Sequence, residues 1–88
     1  MRKNPNIDEI LNTYIGLFFK YHRKNLRMSG KTLSKKINIS QQQISRYENG
    51  KSVVNLTTAI NLCYHLDIDI LEFSAFIDSL KKIINKDP

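Results

Sequence analysis

An all-α fold of five short helices is what this sequence predicts, and three observations carry that reading. Apolar residues recur at three- and four-residue steps, no segment sustains the period-two alternation of a half-buried strand, and a Ser, Asn or Asp stands just before each periodic run, where a helix needs an N-cap. At 88 residues the chain forms one domain. A chain of this size buries only roughly 60 to 65% of the surface its unfolded form exposes, so its core is modest and dimerisation can add stability.

Asn6 caps the first helix, in which Ile7, Ile10, Leu11, Tyr14, Ile15, Phe18, Phe19, His22 and Leu26 recur at helical spacing toward Arg27. Gly16 leaves room for a break there. Ser29 caps a second helix reaching about Ile37, with Leu33 and Ile37 on one face. Asn38 tolerates the left-handed conformation of a tight turn, Ser40 caps a third helix from Gln41 to about Asn49, and Gly50 terminates it. Asn55 opens a fourth helix with Leu56, Ala59, Ile60, Cys63 and Leu66 at helical spacing. Asp69 and Glu72 form a capping box for a last helix over 70–86, whose stripe is Ile70, Phe73, Ile77, Leu80 and Ile84.

Lys and Arg number 14 against 8 Asp and Glu, a net charge of +6. The charge is segregated: residues 15–51 hold nine basic residues and a single acid, Glu48, for +8, which leaves −2 on the remainder. That is the footprint of a polyanion binder, although lysines on helix faces also serve solubility alone. Lys20, Lys24, Lys35 and Lys36 read equally well either way. No apolar run reaches the roughly 18 residues of a membrane span, and Asp8 and Glu9 stand where a signal peptide needs its apolar segment. One cysteine, Cys63, makes no intrachain disulfide and suits a reducing cytoplasm.

The informative stretch is TLSKKINISQQQISRYENGK, Thr32 to Lys51. It reads as helix, short turn, then a helix whose first turn is wholly polar. A helix-turn-helix needs uncharged hydrogen-bonding side chains at the start of its second helix, to reach base edges, and apolar ones on its inner face. Gln41, Gln42 and Gln43 supply the first; Ile44 and Tyr47, facing Leu33 and Ile37, supply the second. A glutamine amide pairs with adenine N6 and N7, and Arg46, one turn after Gln42, can pair with guanine O6 and N7, each such pair contributing about 1 to 3 kcal/mol of discrimination.

Residues 15–73 resemble the phage-repressor (Cro/C1, or XRE) helix-turn-helix family, with matches at Gly16, Arg23, Ser29, Leu33, Ile39-Ser40, Ile44-Ser45, Tyr47 to Lys51, and the Leu66-x-Ile68 step. The resemblance implies that Gln41, Gln42 and Arg46 read bases, with Gln43 and Ser45 as additional candidates. It places Ser40, Asn49 and Lys51 on phosphate, and Lys31 is taken with them. Arg23 and Glu48 fall on an internal ion pair. The run Ser40 to Glu48 is also similar to the signature of MrpJ-type regulators, which are tied to fimbrial operons and repress flagellar motility; only Ile44, where an aromatic is usual, departs from it. Against the repressor pattern, Gly30 replaces a long polar residue, Ser34 an alanine, Asn38 the turn glycine and Val54 a proline. The Ser34 hydroxyl must then bond back to the helix backbone or stay partly wet.

The expected activity is sequence-specific binding of a palindromic operator in double-stranded DNA by a homodimeric repressor. The first part of the last helix's stripe should pack on the domain core, and the plain alternative is that all of it does. Yet Leu80, Ile83 and Ile84 would lie exposed in a monomer, so Phe73, Ile77, Leu80, Ile83 and Ile84 are read as the dimerisation face, with help from residues before Ile15. An antitoxin that binds a toxin protein and its own operator is the alternative. Cys63-x-His65 is the only close pair of metal-ligand type, so no metal or other cofactor is expected, nor a small-molecule effector. No phosphate-binding loop, nucleophile elbow or His-carboxylate cluster appears, so the chain reads as no enzyme.

Overall fold

The computed structural model describes residues 6–85. They form five helices: α1 (Ile7–Asn25), α2 (Gly30–Ile37), α3 (Gln41–Glu48), α4 (Leu56–His65) and α5 (Ile70–Ile84). Among the described residues there is no strand, and the architecture is the all-α, repressor-like one. Residue 86, expected to end the last helix, and Arg2 and Lys3 lie outside the described residues.

Each helix starts where a side chain relieves its unpaired N–H groups. Asn6 accepts from the Glu9 N–H at 2.8 Å while Glu9 accepts from the Asn6 N–H at 3.2 Å, a reciprocal capping box. Ser29, Ser40 and Asn55 accept from the N–H groups of Thr32, Gln43 and Thr58. The capping box expected at α5 does not form. Asp69 accepts from Leu71 N–H at 2.7 Å, and the Glu72 carboxylate instead lies 3.3 Å from His22 Nε2 on α1. A tertiary partner has displaced the local one.

Three chain reversals use left-handed residues: Arg27 (φ 56°), Asn38 (φ 58°) and Asp67 (φ 56°). Arg27 thereby stops α1 at Asn25, two residues short of the expected limit. Gly50, at φ 71°, follows α3. Helix α1 runs unbroken through Gly16 because that glycine is a contact and not a hinge. A Cβ there would lie 2.8 Å from the Glu48 carbonyl oxygen and closer still to that of Tyr47, so only glycine lets the end of α3 lie against α1.

Phe19, Leu33, Ile44, Ala59, Leu62, Cys63, Leu66, Ile68 and Phe73 form the core, which all five helices feed. Phe18 stacks on Phe76 with ring centroids 4.1 Å apart, joining α1 to α5. The buried face of α4 is rotated from the expected one: Leu62 is inside, whereas Leu56 and Ile60 are 70% and 49% exposed. Burial and the negative charge of Glu72 push the Cys63 thiol above its ordinary pKa, keeping it neutral. The Ser34 hydroxyl donates to the Lys31 carbonyl at 2.7 Å, so its burial between α2 and its neighbours leaves no unpaired polar atom.

The expectation that Leu80 lies exposed in a single protomer needs correction. Phe73 and Leu80 are only 9% and 5% exposed and pack within the protomer, while Ile77, Ile83 and Ile84 remain 37%, 42% and 38% exposed. The reason is the length of α1. Phe18 and Phe19 of α1 pack against Phe73, and nearer the start of the helix Ile10, Thr13 and Tyr14 face Ile83 across a shallow apolar groove beside the end of α5.

Candidate nucleic-acid interface

The turn between α2 and α3 is closed by Ser34, whose carbonyl accepts from the Asn38 and Ile39 N–H groups. With φ 58° at Asn38 the chain reverses in three residues. Leu33 and Ser34 on α2 then pack beside Ile44 on α3, all three buried, which sets the two helices of the motif against each other. Burial of Ile44 and Glu48, one turn apart, turns the opposite side of α3 to solvent.

That outer side carries Gln41, Gln42, Ser45 and Arg46, all exposed, with Gln43 half-buried at its edge. Ser40 spends its hydroxyl as the α3 cap, accepting from Gln43 N–H at 3.0 Å. Asn49 follows α3 and donates from Nδ2 to Ser45 Oγ at 3.3 Å, while Lys31 and Lys51 are exposed at the beginning of α2 and after α3. Arg46 is engaged along one edge by Ser52 and the Lys51 carbonyl.

Beneath this face lies the Arg23–Glu48 pair. Arg23 Nε and Nη2 donate to the two carboxylate oxygens at 2.6 and 2.9 Å, and Nη1 donates to the Met28 carbonyl at 2.7 Å. The two side chains are 12% and 9% exposed. The hydrogen bond to Glu48 raises the Arg23 pKa, desolvation opposes it, and the carboxylate's charge adds to the rise, so the guanidinium stays charged despite its burial. One ion pair thus fixes three things: the end of α3, the last turn of α1 and the loop before α2.

A polar groove of about 340 Å³ opens along the same surface, lined by Lys20 and Lys24 of α1, Gly30 at the start of α2, Gln41 and Ser45 of α3, and Asn49 just after it. The sequence left Lys20 and Lys24 undecided. They stand three residues before and one after Arg23, so the contact between Arg23 and the end of α3 brings both to the groove. Lys35 and Lys36 are exposed on α2 and do not line it. The groove and the outer side of α3 together make one continuous surface, hydrogen-bonding on the helix and cationic beside it. Neutral amides there can discriminate base edges, and ammonium groups can attract phosphate without reading sequence.

Among the described residues no group of three or more His, Cys, Asp or Glu side chains could hold a metal ion, and no helix is long and apolar enough to cross a membrane. Residues 19–73, from the middle of α1 to the first turn of α5, match a family model described as helix-turn-helix. No curated protein and no solved structure matches the chain.

Proposed function

The chain belongs to the helix-turn-helix family of Cro/C1 (XRE) type, DNA-binding regulators of transcription, and from that premise we propose that it is a homodimeric repressor that reads a palindromic operator through α3. The observation that carries this reading is the exposed set Gln41, Gln42 and Arg46 on α3, bordered by the groove of Lys20 and Lys24. In it the amides and Arg46 read bases, with Gln43 and Ser45 at the margin, and Lys20, Lys24, Lys31, Lys51, Ser40 and Asn49 hold the phosphate backbone. The residues 1–88 act as one domain, in the cytoplasm, by occupying promoter DNA.

The dimer forms through Ile77, Ile83 and Ile84 of α5 and the Ile10–Tyr14 edge of α1. A two-fold pair across this apolar groove presents two copies of α3 to half-sites roughly 34 Å apart or a multiple of that. The likeness of Ser40 to Glu48 to the MrpJ-type signature makes fimbrial and flagellar promoters the first natural sequences to try.

Selection of bound duplexes from a randomised library at about 150 mM salt tests the reading, because surface electrostatics are already screened over about 8 Å there. An enriched palindrome is expected. Binding that depends on length and salt alone would remove Gln41, Gln42 and Arg46 from the reading. A second reading, an antitoxin with a toxin partner, is favoured by one feature: Leu56, Ile60 and Tyr64 make an apolar stripe along α4, 49 to 77% exposed among the described residues. A neighbouring gene for a small toxin, and a complex with its product, would support that alternative.

A further inference from the structure

Arg46 is held along one edge of its guanidinium and left open along another. Its Nε donates to Ser52 Oγ at 3.0 Å and its Nη2 donates to the Lys51 carbonyl at 3.0 Å. These two bonds occupy the side edge of the planar group. The end edge, formed by Nη1 and the outer hydrogen of Nη2, has no hydrogen-bond partner among the described residues, and Arg46 is exposed. An end edge of two parallel N–H donors is the fork that matches O6 and N7 of one guanine.

The holding segment is itself fixed. Gly50, at φ 71°, turns the chain back after α3, and the Lys51 N–H donates to the Arg46 carbonyl at 2.8 Å. Arg46 and Lys51 therefore bind each other twice, backbone to backbone and guanidinium to carbonyl. Ser52, half-buried, adds the third bond. A free arginine loses several rotors on pairing with a base; one already clamped has lost them before DNA arrives.

We infer that Ser52 is a positioning residue for base recognition: its hydroxyl, with the Lys51 carbonyl, holds Arg46 so that the end edge of the guanidinium meets a guanine. Ser52 touches no base in this arrangement. The inference builds on the reading of Arg46 as a base-reading residue and adds to it the group that aims it. Freezing one rotamer-rich side chain is worth about 0.5 to 1.5 kcal/mol, so removing the clamp lowers the preference for guanine about two- to tenfold.

The test uses the full chain and the duplex enriched by selection, in competition with copies carrying each other base at one position at a time. Arg46→Ala should abolish a guanine preference at one position. Ser52→Ala should lower the preference at that same position two- to tenfold, leave the others unchanged, and add nothing on top of Arg46→Ala. Ser52→Thr, which keeps the hydroxyl, should restore it to within about twofold, and thermal melting should find all variants folded. Wild-type preference in Ser52→Ala, tighter binding by it, or no rescue by Thr would overturn the positioning role while leaving Arg46 as a base reader. If Arg46→Ala alters no preference, the reading of Arg46 fails first and the inference falls with it.

Discussion

Arg23 on α1 and Glu48 at the end of α3 meet in a bidentate pair, at 2.6 and 2.9 Å, directly beneath the surface proposed to meet DNA. The placement of α3 against α1 and α2 rests on this pair, on the close approach at Gly16 and on buried Ile44, which lie away from the outer side of the helix. The residues that hold the fold and those proposed to read DNA therefore lie on different faces of one eight-residue helix, and substitutions can separate them.

Glu48→Ala should destabilise the domain by about 3 to 5 kcal/mol, because it strands a nearly buried guanidinium. Chemical denaturation should find a lowered midpoint, and Arg23→Lys should recover little, since an ammonium cannot make the two parallel bonds. The hydrogen bond to Glu48 holds the Arg23 pKa above its ordinary value, with desolvation opposing and the carboxylate's charge adding to the rise, so its contribution is complete below that ordinary value and is lost only as pH rises through the folded pKa. Titration of Arg23 should accordingly leave wild-type stability unchanged from neutral pH into the mildly alkaline range. A midpoint unchanged by Glu48→Ala would remove the pair from the structural role.

Gly16→Ala should also destabilise, against its propensity. Alanine gains about 1 kcal/mol over glycine inside a helix. Here the new methyl would lie 2.8 Å from a backbone carbonyl, where no side chain can move aside, so α3 must shift from α1 at a cost of about 1 to 3 kcal/mol. A raised melting temperature would show that the close approach is looser than the geometry has it.

The two halves of the proposed interface should respond differently to salt. Gln41→Ala with Gln42→Ala should erase base preference and leave the salt dependence of non-specific binding unchanged, because neutral amides release no counterions. Lys20→Ala or Lys24→Ala should weaken binding to every duplex and reduce the slope of log K against log salt by about 0.9 for each phosphate that is no longer neutralised. Lysines whose removal leaves the slope intact would be solvated, not bound to phosphate.

What the sequence made legible was what local chemistry decides. Asn6, Ser29, Ser40, Asn55 and Asp69 stand one residue before the five helices, and a cap needs only its own next turn to act. The exposed glutamines were legible for the same reason, since burial of Ile44 fixes the side they occupy. Glu72 was misread because an α1 residue, His22, competes for it. The faces of α4 and α5 were misplaced because periodicity tells which residues are apolar and not what covers them: Leu62 went inside and Leu56 and Ile60 stayed out. Lys20 and Lys24 gained a place only when Arg23 bound the end of α3.

Leu80 and Ile83 are three residues apart on α5 and should give opposite results on replacement by Asp. Leu80 is 5% exposed within a single protomer, so a carboxylate there is buried without a partner and should cost about 4 kcal/mol or more, enough to unfold a small domain. Ile83 is 42% exposed at the groove beside Ile10 and Tyr14, where a carboxylate in the isolated protomer remains in water. Ile83→Asp should therefore keep its helical spectrum and melting transition while sedimenting as a monomer, and its affinity for a palindrome should fall toward that for a single half-site. A folded Leu80→Asp would mean that α1 does not cover the end of α5 in solution. A dimeric Ile83→Asp would move the interface away from the α1–α5 groove, and the stripe of Leu56, Ile60 and Tyr64 on α4 would be the next surface to test.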